Sequence, residues 1–358
     1  MEELRQINTM LQLISQPAFR VEDGMISHVN QAASAYLIQP GMPFAPMILC
    51  GAEEYAQFSD GKLYVNLTVG NVSAGACISR IDSGDIVTLE QPTELPQLQS
   101  LVLAANALKA PLMGILCNTQ RMLPEVAPEG SEWETAASKI NRDLYKMLRI
   151  VTNMSDASAY AQSQSGRMET IEVCVFFQEI LEKVATLAQA GGITLEYTLP
   201  QERIFTLSDQ EKLERAIHNL LSNAIKFSPA GSSVQAKLVQ QNKRLYFSVS
   251  NARNGSGVSG RIYNHFMREP NVIEDPKSGL GLGMVMVRTA ATIHGGAVLL
   301  EENESLIRVT MTMQIQTNTS TQMRSPIRHF DYAGEMDHVL LELADVLPAQ
   351  HYTSENIK

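Results

Sequence analysis

Asp209-Gln-Glu-Lys-Leu-Glu-Arg-Ala-Ile-His-Asn219-Leu-Leu-Ser-Asn223-Ala-Ile-Lys226-Phe-Ser-Pro-Ala-Gly231 is the most informative stretch of the chain. Asp209, after Ser208, is an N-cap signal. Ala216, Ile217, Leu220, Leu221, Ala224 and Ile225 form a broad apolar face, which predicts a helix from Asp209 to Phe227. Asn219, Asn223 and Lys226 fall at i, i+4 and i+7, so they share one polar stripe. Two carboxamides and an ammonium suit a metal–phosphate pair. Mg²⁺ accepts an amide oxygen while keeping waters and the phosphates of its ligand. Lysine adds a compact positive charge. A solvated helix face has the same composition, so the stripe needs a second signal.

That signal is Ser278-Gly279-Leu280-Gly281-Leu282-Gly283-Met284-Val285-Met286-Val287. Alternating glycines open directly into an apolar helix expected over 283–294. Glycine lets a backbone approach a ligand closely, and a helix N-terminus offers free N–H groups to phosphate. The stretch is not a Rossmann turn, because a loop rather than a buried strand precedes it. It lacks the GK[ST] of a Walker A loop.

Around these motifs, residues 168 to 315 alternate between the two periodicities. Strands are expected at 171–175, 194–199, 204–207, 234–239, 245–250, 297–301 and 306–313, with a further helix at 176–189. This predicts an α/β sandwich with one helical face and a mixed sheet. Upstream, Leu101, Ala105, Leu108, Leu112, Ile115, Thr119 and Met122 step alternately by 4 and 3, as do Ile140, Leu144, Met147, Val151 and Met154. Each series is a heptad seam, and Ala127-Pro-Glu-Gly-Ser131 separates them. An antiparallel helical hairpin follows, with a kink expected at Pro111. One hairpin has little core of its own, so a dimeric four-helix bundle is the expected packing. Residues 1 to 90 change character every few positions and are split by Asp23-Gly24, Asp60-Gly61 and Ser83-Gly84, which predicts a small α+β domain with antiparallel strands. After a polar linker, Met336, Val339, Leu340, Leu343 and Leu347 predict a C-terminal amphipathic helix, docked on its own domain or on another protein. The expected divisions are 1–92, 93–166, 167–316 and 317–358.

Composition narrows the function classes. The chain has 358 residues, 44% hydrophobic and 18% charged, with a formal net charge of −10. That excludes a largely disordered chain. No Lys/Arg-rich stretch supplies the basic face that nucleic-acid binding needs. Cys50, Cys77, Cys117 and Cys174 lie far apart without CxxC spacing, as reduced thiols of a cytosolic protein do. The N-terminus lacks signal-peptide character. No run of about 18–20 apolar residues exists, so no membrane insertion is expected, and the expected location is cytoplasmic.

The stripe resembles the N-box of sensor histidine kinases and related GHKL ATPases. Ser278 to Gly283, followed by a helix ending in His294-Gly295-Gly296, resembles their G2 box. Ile262-Tyr-Asn-His-Phe266-Met-Arg268 resembles the F-box ahead of the ATP lid. The resemblance implies a histidine-kinase ATPase (Bergerat) sandwich, with residues 93–165 similar to a dimerisation and phosphotransfer hairpin. Phe19-Arg-Val-Glu-Asp-Gly-Met-Ile-Ser-His-Val-Asn-Gln-Ala-Ala33 is more loosely similar to a PAS sensor. By the same resemblance, Asn223 would hold Mg²⁺, Lys226 would touch phosphate with Asn219 nearby, and Arg268 would reach the γ-phosphate. Gly279, Gly281 and Gly283 would frame the triphosphate. His218 and His294 read as packing or rim residues.

Two departures shape the expected function. The segment matching H-E-L-R-x-P-L is Asn106-Ala107-Leu108-Lys109-Ala110-Pro111-Leu112, with Asn106 at the phosphoacceptor position. An amide nitrogen is a poor nucleophile, and no general base adjoins it. None of the seven histidines falls between residues 29 and 217, so neither hairpin helix has one. At the adenine site, the family's Asp before G-x-G is replaced in Val249-Ser-Asn251-Ala-Arg253-Asn254-Gly255-Ser-Gly257. Gapless alignment puts Arg253 there, and a two-residue insertion puts Asn251 there. Arginine offers no acceptor, and asparagine offers a neutral one. Losing the charge-assisted bond costs about 1–3 kcal/mol.

The expected function is a degenerate histidine-kinase-like, ATP-binding and Mg-binding signalling protein, a pseudokinase in its own hairpin. It would be a homodimer, with a response regulator or partner kinase as its target. One alternative is an active sensor kinase or phosphatase acting on a partner in trans. Another is a non-catalytic dimeric adaptor.

Overall fold

Turn and cap residues set where each periodic run starts and stops. The computed structural model describes residues 2–70, 72–81, 84–89, 95–122, 132–161, 167–252, 282–303, 305–316, 337–353 and 356. The N-terminal part comprises α1 (Glu2–Leu13), β1 (Ala18–Glu22), β2 (Met25–Val29), α2 (Gln31–Ser34), β3 (Ile48–Cys50), α3 (Ala52–Gln57), β4 (Lys62–Val69), β5 (Val72–Ile81) and β6 (Gly84–Leu89). Asp23 and Gly24 join β1 to β2 with φ of 50° and 75°. Both central residues of a tight hairpin turn need such positive values. The strands run β2-β1-β6-β5-β4, all neighbours antiparallel. Phe19, Ile26, Phe44, Ile78 and Val87 form a core of their own beneath them.

Two long helices follow, α4 (Leu95–Met122) and α5 (Glu132–Ala161), packed along one another. Helix α4 continues through Pro111 without a break. Their heptad seams divide between two environments. Ala105, Leu112, Leu144 and Val151 are buried, whereas Leu108, Ile115, Ile140 and Met147 are exposed.

The remaining elements are β7 (Met168–Glu172), α6 (Val173–Ala190), β8 (Thr194–Thr198), β9 (Phe205–Asp209), α7 (Gln210–Phe227), β10 (Ser233–Gln241), β11 (Arg244–Ala252), α8 (Leu282–Ile293), β12 (Val298–Glu302), β13 (Leu306–Gln314) and α9 (His338–Glu342). Strand β7 stops earlier than the expected 171–175. The Glu172 carboxylate caps α6 instead, accepting from the N–H groups of Cys174 at 3.1 Å and Val175 at 3.3 Å. Strands β12-β13-β11-β10-β8 form a mixed sheet, with β8 and β10 parallel. Phe177, Leu181, Leu213, Ile217, Leu221, Val287 and Ala291 from α6, α7 and α8 share one core with it.

The two sheets are continuous. Strand β4 pairs antiparallel with β12, Tyr64 opposite Val298, Leu63 opposite Leu299 and Lys62 opposite Leu300. One 11-stranded sheet results, and the edge that β12 would otherwise expose is covered. Gly61, with φ of 87°, lies so close to the Leu300 carbonyl that no Cβ fits.

Candidate functional site

Helix α7 is fixed at its start and carries the site along its length. Asp209 caps it, Oδ1 accepting from the Lys212 N–H at 3.2 Å. The buried His294 imidazole anchors the same point. Its Nε2 accepts from the Asp209 N–H at 3.1 Å and lies 2.9 Å from Ser208 Oγ, while its Nδ1 is 2.7 Å from the Ala290 carbonyl. This bonding requires the neutral ring with the proton on Nδ1, and burial pushes its pKa down. Gly296 lies against the Thr312 carbonyl with no room for a Cβ. The His-Gly-Gly run therefore ties the end of α8 to the start of α7 and to β13, which is a packing role.

The stripe on α7 does not stay uniformly wet. Asn219 is buried at 1% exposure. Its Nδ2 donates to the Arg215 carbonyl at 2.9 Å and to Met286 Sδ at 3.7 Å. Gly283, in the first turn of α8, lies on Asn219 Oδ1, where any Cβ would collide. The carboxamide stripe and the start of the glycine-opened helix thus converge. One turn on, Asn223 is half-buried, and among the described residues its carboxamide makes no hydrogen bond. A further turn on, Lys226 Nζ lies 3.2 Å from Asp345 Oδ2. Asn251, near the end of β11, is buried and donates through Nδ2 to the Ala252 carbonyl at 3.0 Å. Its Oδ1 remains the acceptor. Arg253, Gly255, Gly257, Arg268, Gly279 and Gly281 lie outside the described residues. Asn106 falls in α4, its side chain also outside the described residues.

An unexpected partner is the chain's own C-terminal segment. Asp345 also receives the Arg149 guanidinium of α5, Nη1 at 2.9 Å. Burial alone would raise the Asp345 carboxyl, but Arg149 and Lys226 outweigh it and hold it below the usual carboxylate range. Glu342 is buried with Arg149 Nε at 3.0 Å and Arg215 Nε at 4.0 Å. His218 is fully enclosed on the inner side of α7, and burial pushes its pKa down. In the sequence, only the apolar spacing of 336–347 hinted at this contact. Nothing there paired Asp345 with Lys226, because the partners lie 119 residues apart.

Comparison with known proteins places this geometry. Residues 208–320 match the family model of the histidine kinase-, DNA gyrase B-, and HSP90-like ATPases. The chain is 24% identical over 229 residues to histidine kinase P4 of Formosa agariphila, covering 61% of this chain and 16% of that protein. It is 25% identical over 232 residues to sensor protein KdpD of Escherichia coli, covering 62% and 25%. Residues 208–320 are thus a histidine kinase-like ATPase domain, and the chain is similar to sensor histidine kinases over about three fifths of its length. It spans no more than a quarter of the length of these two relatives. Among solved structures, full-length ShkA in complex with AMPPNP is similar at 18% identity and a TM-score of 0.45, covering 61% of this chain and 47% of that one. The matched ATPase domain holds α7, β10, β11, α8, β12 and β13, and the α7–α8 contact lies inside it. Among the described residues, no helix is long and apolar enough to cross a membrane.

Proposed function

We propose that this chain is a histidine-kinase-like signalling protein that binds Mg·ATP at the α7–α8 site and does not phosphorylate its own helical hairpin. The observation that carries the reading is the seating of Gly283 on Asn219, with the Asn223 carboxamide, unpartnered among the described residues, one turn along the same stripe. A glycine forced by close approach at a helix start and an amide oxygen beside it suit a phosphate and its cation. Asn223 would hold Mg²⁺, Lys226 would meet a phosphate oxygen, and the Oδ1 of Asn251 would accept from the adenine amino group. Arg253 is the other candidate for that adenine position. Gly255, Gly257, Gly279 and Gly281 would line the nucleotide, and Arg268 would reach its γ-phosphate. Bound ATP supplies a transferable γ-phosphoryl group.

The hairpin gives that group no acceptor. Asn106 lacks a nucleophilic lone pair, and neither long helix contains a histidine. Exposed Leu108, Ile115, Ile140 and Met147 form an apolar stripe at heptad spacing, which supports a homodimeric four-helix bundle. The strand order β2-β1-β6-β5-β4 supports a PAS-like sensor at 1–92, followed by the hairpin at 93–166, the ATPase domain at 167–316 and a C-terminal segment at 317–358. Four free cysteines suit the reducing cytoplasm. The partner is a response regulator or a second kinase. The intact Asn223 amide favours a second reading, phosphoryl transfer to a partner in trans.

Calorimetric titration with Mg·ATP tests the first reading. The wild-type chain gives saturable heat, and Asn223→Ala weakens binding at least tenfold. Absence of heat at millimolar nucleotide overturns it and leaves a non-catalytic adaptor. With γ-labelled ATP, the chain alone forms no acid-labile phosphoprotein. Label appearing on an added regulator, and lost in Asn223→Ala, establishes the trans reading.

A further inference from the structure

The C-terminal segment grips Lys226 of the α7 stripe and a hairpin helix at the same time. Helix α9 is capped by Asp337, whose Oδ1 accepts from the Leu340 N–H at 3.0 Å. It is shorter than the expected 337–347 helix, and turns carry the chain onward past Leu343. Leu340, Leu341, Leu343, Ala344 and Leu347 are all buried in the main core. Beyond Pro348, Tyr352 is fully buried, its hydroxyl donating to the Leu340 carbonyl at 2.8 Å. Its ring meets Tyr145 of α5 edge-on at 5.1 Å between centroids. Its carbonyl accepts from Asn141 Nδ2, also of α5, at 3.0 Å. Residues 337–353 thus form a packed strap with Asp345 at its charged centre.

Asp345 lies between two cations from different elements, Lys226 of α7 at 3.2 Å and Arg149 of α5 at 2.9 Å. Lys226 is only 13% exposed in this state. An ammonium held against a carboxylate cannot also give its full charge to a phosphate, since the two anions would repel in one partly desolvated place. We propose that residues 337–353 are an intramolecular competitor of phosphate: Asp345 occupies Lys226, and a nucleotide's phosphate at Lys226 displaces the strap. This inference rests on the nucleotide reading above and adds its regulation. Displacing the strap takes both Asp345 and Glu342 away from Arg149, so the same event loosens the tie between α7 and the hairpin helix α5. Coupling of this kind is reciprocal: whatever pulls the strap from α5 tightens nucleotide binding, and nucleotide binding loosens the strap.

The test uses the full chain, the Asp345→Asn variant and Mg·AMPPNP. Calorimetry gives the affinity, and hydrogen exchange reports on 337–353. In the wild type, the strap is protected without nucleotide and exchanges faster when Mg·AMPPNP is added. Asp345→Asn keeps the shape, removes the charge and binds about 2- to 5-fold more tightly, the scale expected for one partly exposed ion pair. Tyr352→Ala removes a strap anchor on α5 while leaving Asp345 and Lys226 in place, and it also tightens binding. Equal affinity in wild type and Asp345→Asn overturns the competition and leaves the nucleotide reading intact. Unchanged strap exchange on saturation of the wild type overturns it even if a variant fails to fold. If neither wild type nor Asp345→Asn binds while the strap stays protected, the nucleotide reading falls, and the competition with it.

Discussion

Gly283 rests on the side-chain oxygen of Asn219, so the first turn of α8 and the third turn of α7 meet without an intervening side chain. The contact requires glycine for space, since this residue lies within a helix where a Cβ costs nothing in conformation. Gly283→Ala therefore overpacks a buried amide and costs about 1–3 kcal/mol. Asn219→Ala removes the obstructing oxygen. The double variant is expected to be more stable than the sum of the two losses, with coupling of about 0.5–3 kcal/mol. Urea unfolding of the four proteins measures this. Additive losses would show that the two side-chain positions do not touch.

The proposal that α4 carries no phosphoacceptor gives a second expectation. Asn106→His supplies a nucleophile at the position the proposed reading assigns to the phosphoacceptor, but Ala107 still offers no base beside it. Label from γ-labelled ATP should be absent in the wild type, weak in Asn106→His, and stronger in the Asn106→His/Ala107→Glu pair. Acid lability of the label identifies a phosphohistidine. Equal labelling of wild type and variant would place the acceptor elsewhere.

Two buried imidazoles make stability depend on pH. Burial holds the folded-state pKa of His294 below its ordinary 6.5, outweighing the favourable Ala290 carbonyl. Burial does the same to His218, despite Glu214 and Glu342 nearby. As pH falls, the unfolded chain takes up these protons first. Stability is fully present above about 6.5 and is lost on the way down towards the folded values. Protonated His294 would also lose its acceptor for the Asp209 N–H. Chemical denaturation at pH 7.5, 6.5 and 5.5 should show this decline, and His294→Gln should show a shallower one from a lower starting stability. Equal slopes in the two proteins would remove His294 as a source.

The sequence made some of this legible for local reasons. Asp209, the apolar spacing through Ile225 and the following Pro229 announce α7 within a residue of its observed bounds. The Asp23-Gly24 turn announces β1 and β2 by its need for positive φ. The interior placement of Asn219 was not legible. Polar spacing says which residues share a face, but not that another helix will cover part of it. The β4–β12 pairing was invisible for a related reason: backbone groups make it, and they leave no pattern in side chains. The strap was half legible, as apolar spacing without its ion pairs, because charged partners far apart in sequence carry no periodic signature.

The seam between β4 and β12 is held at its end by Arg244, and that contact gives the last expectation. Arg244 at the start of β11 reaches α3, Nε at 2.6 Å from Glu53 and Nη1 at 2.6 Å from Glu54. Nη1 also donates to the Gly295 carbonyl at 3.2 Å. Glu54 is buried and accepts from Thr312 Oγ1 at 2.6 Å. The two glutamates are not equivalent. Glu53 is 67% exposed, so Glu53→Ala should cost under about 1 kcal/mol. Arg244→Leu leaves the Glu54 carboxylate buried with one hydroxyl donor, which costs about 3 kcal/mol, the lower end for a broken buried pair. The pairing beside it has only three residue pairs, Lys62 to Tyr64 against Val298 to Leu300. It should open before the ATPase core does. Hydrogen exchange at 62–64 is therefore expected to rise sharply in Arg244→Leu while 213–225 of α7 stays protected. Uniform loss of protection across both segments would mean that β4 and the ATPase sheet unfold as one unit, with Arg244 serving the whole rather than the seam.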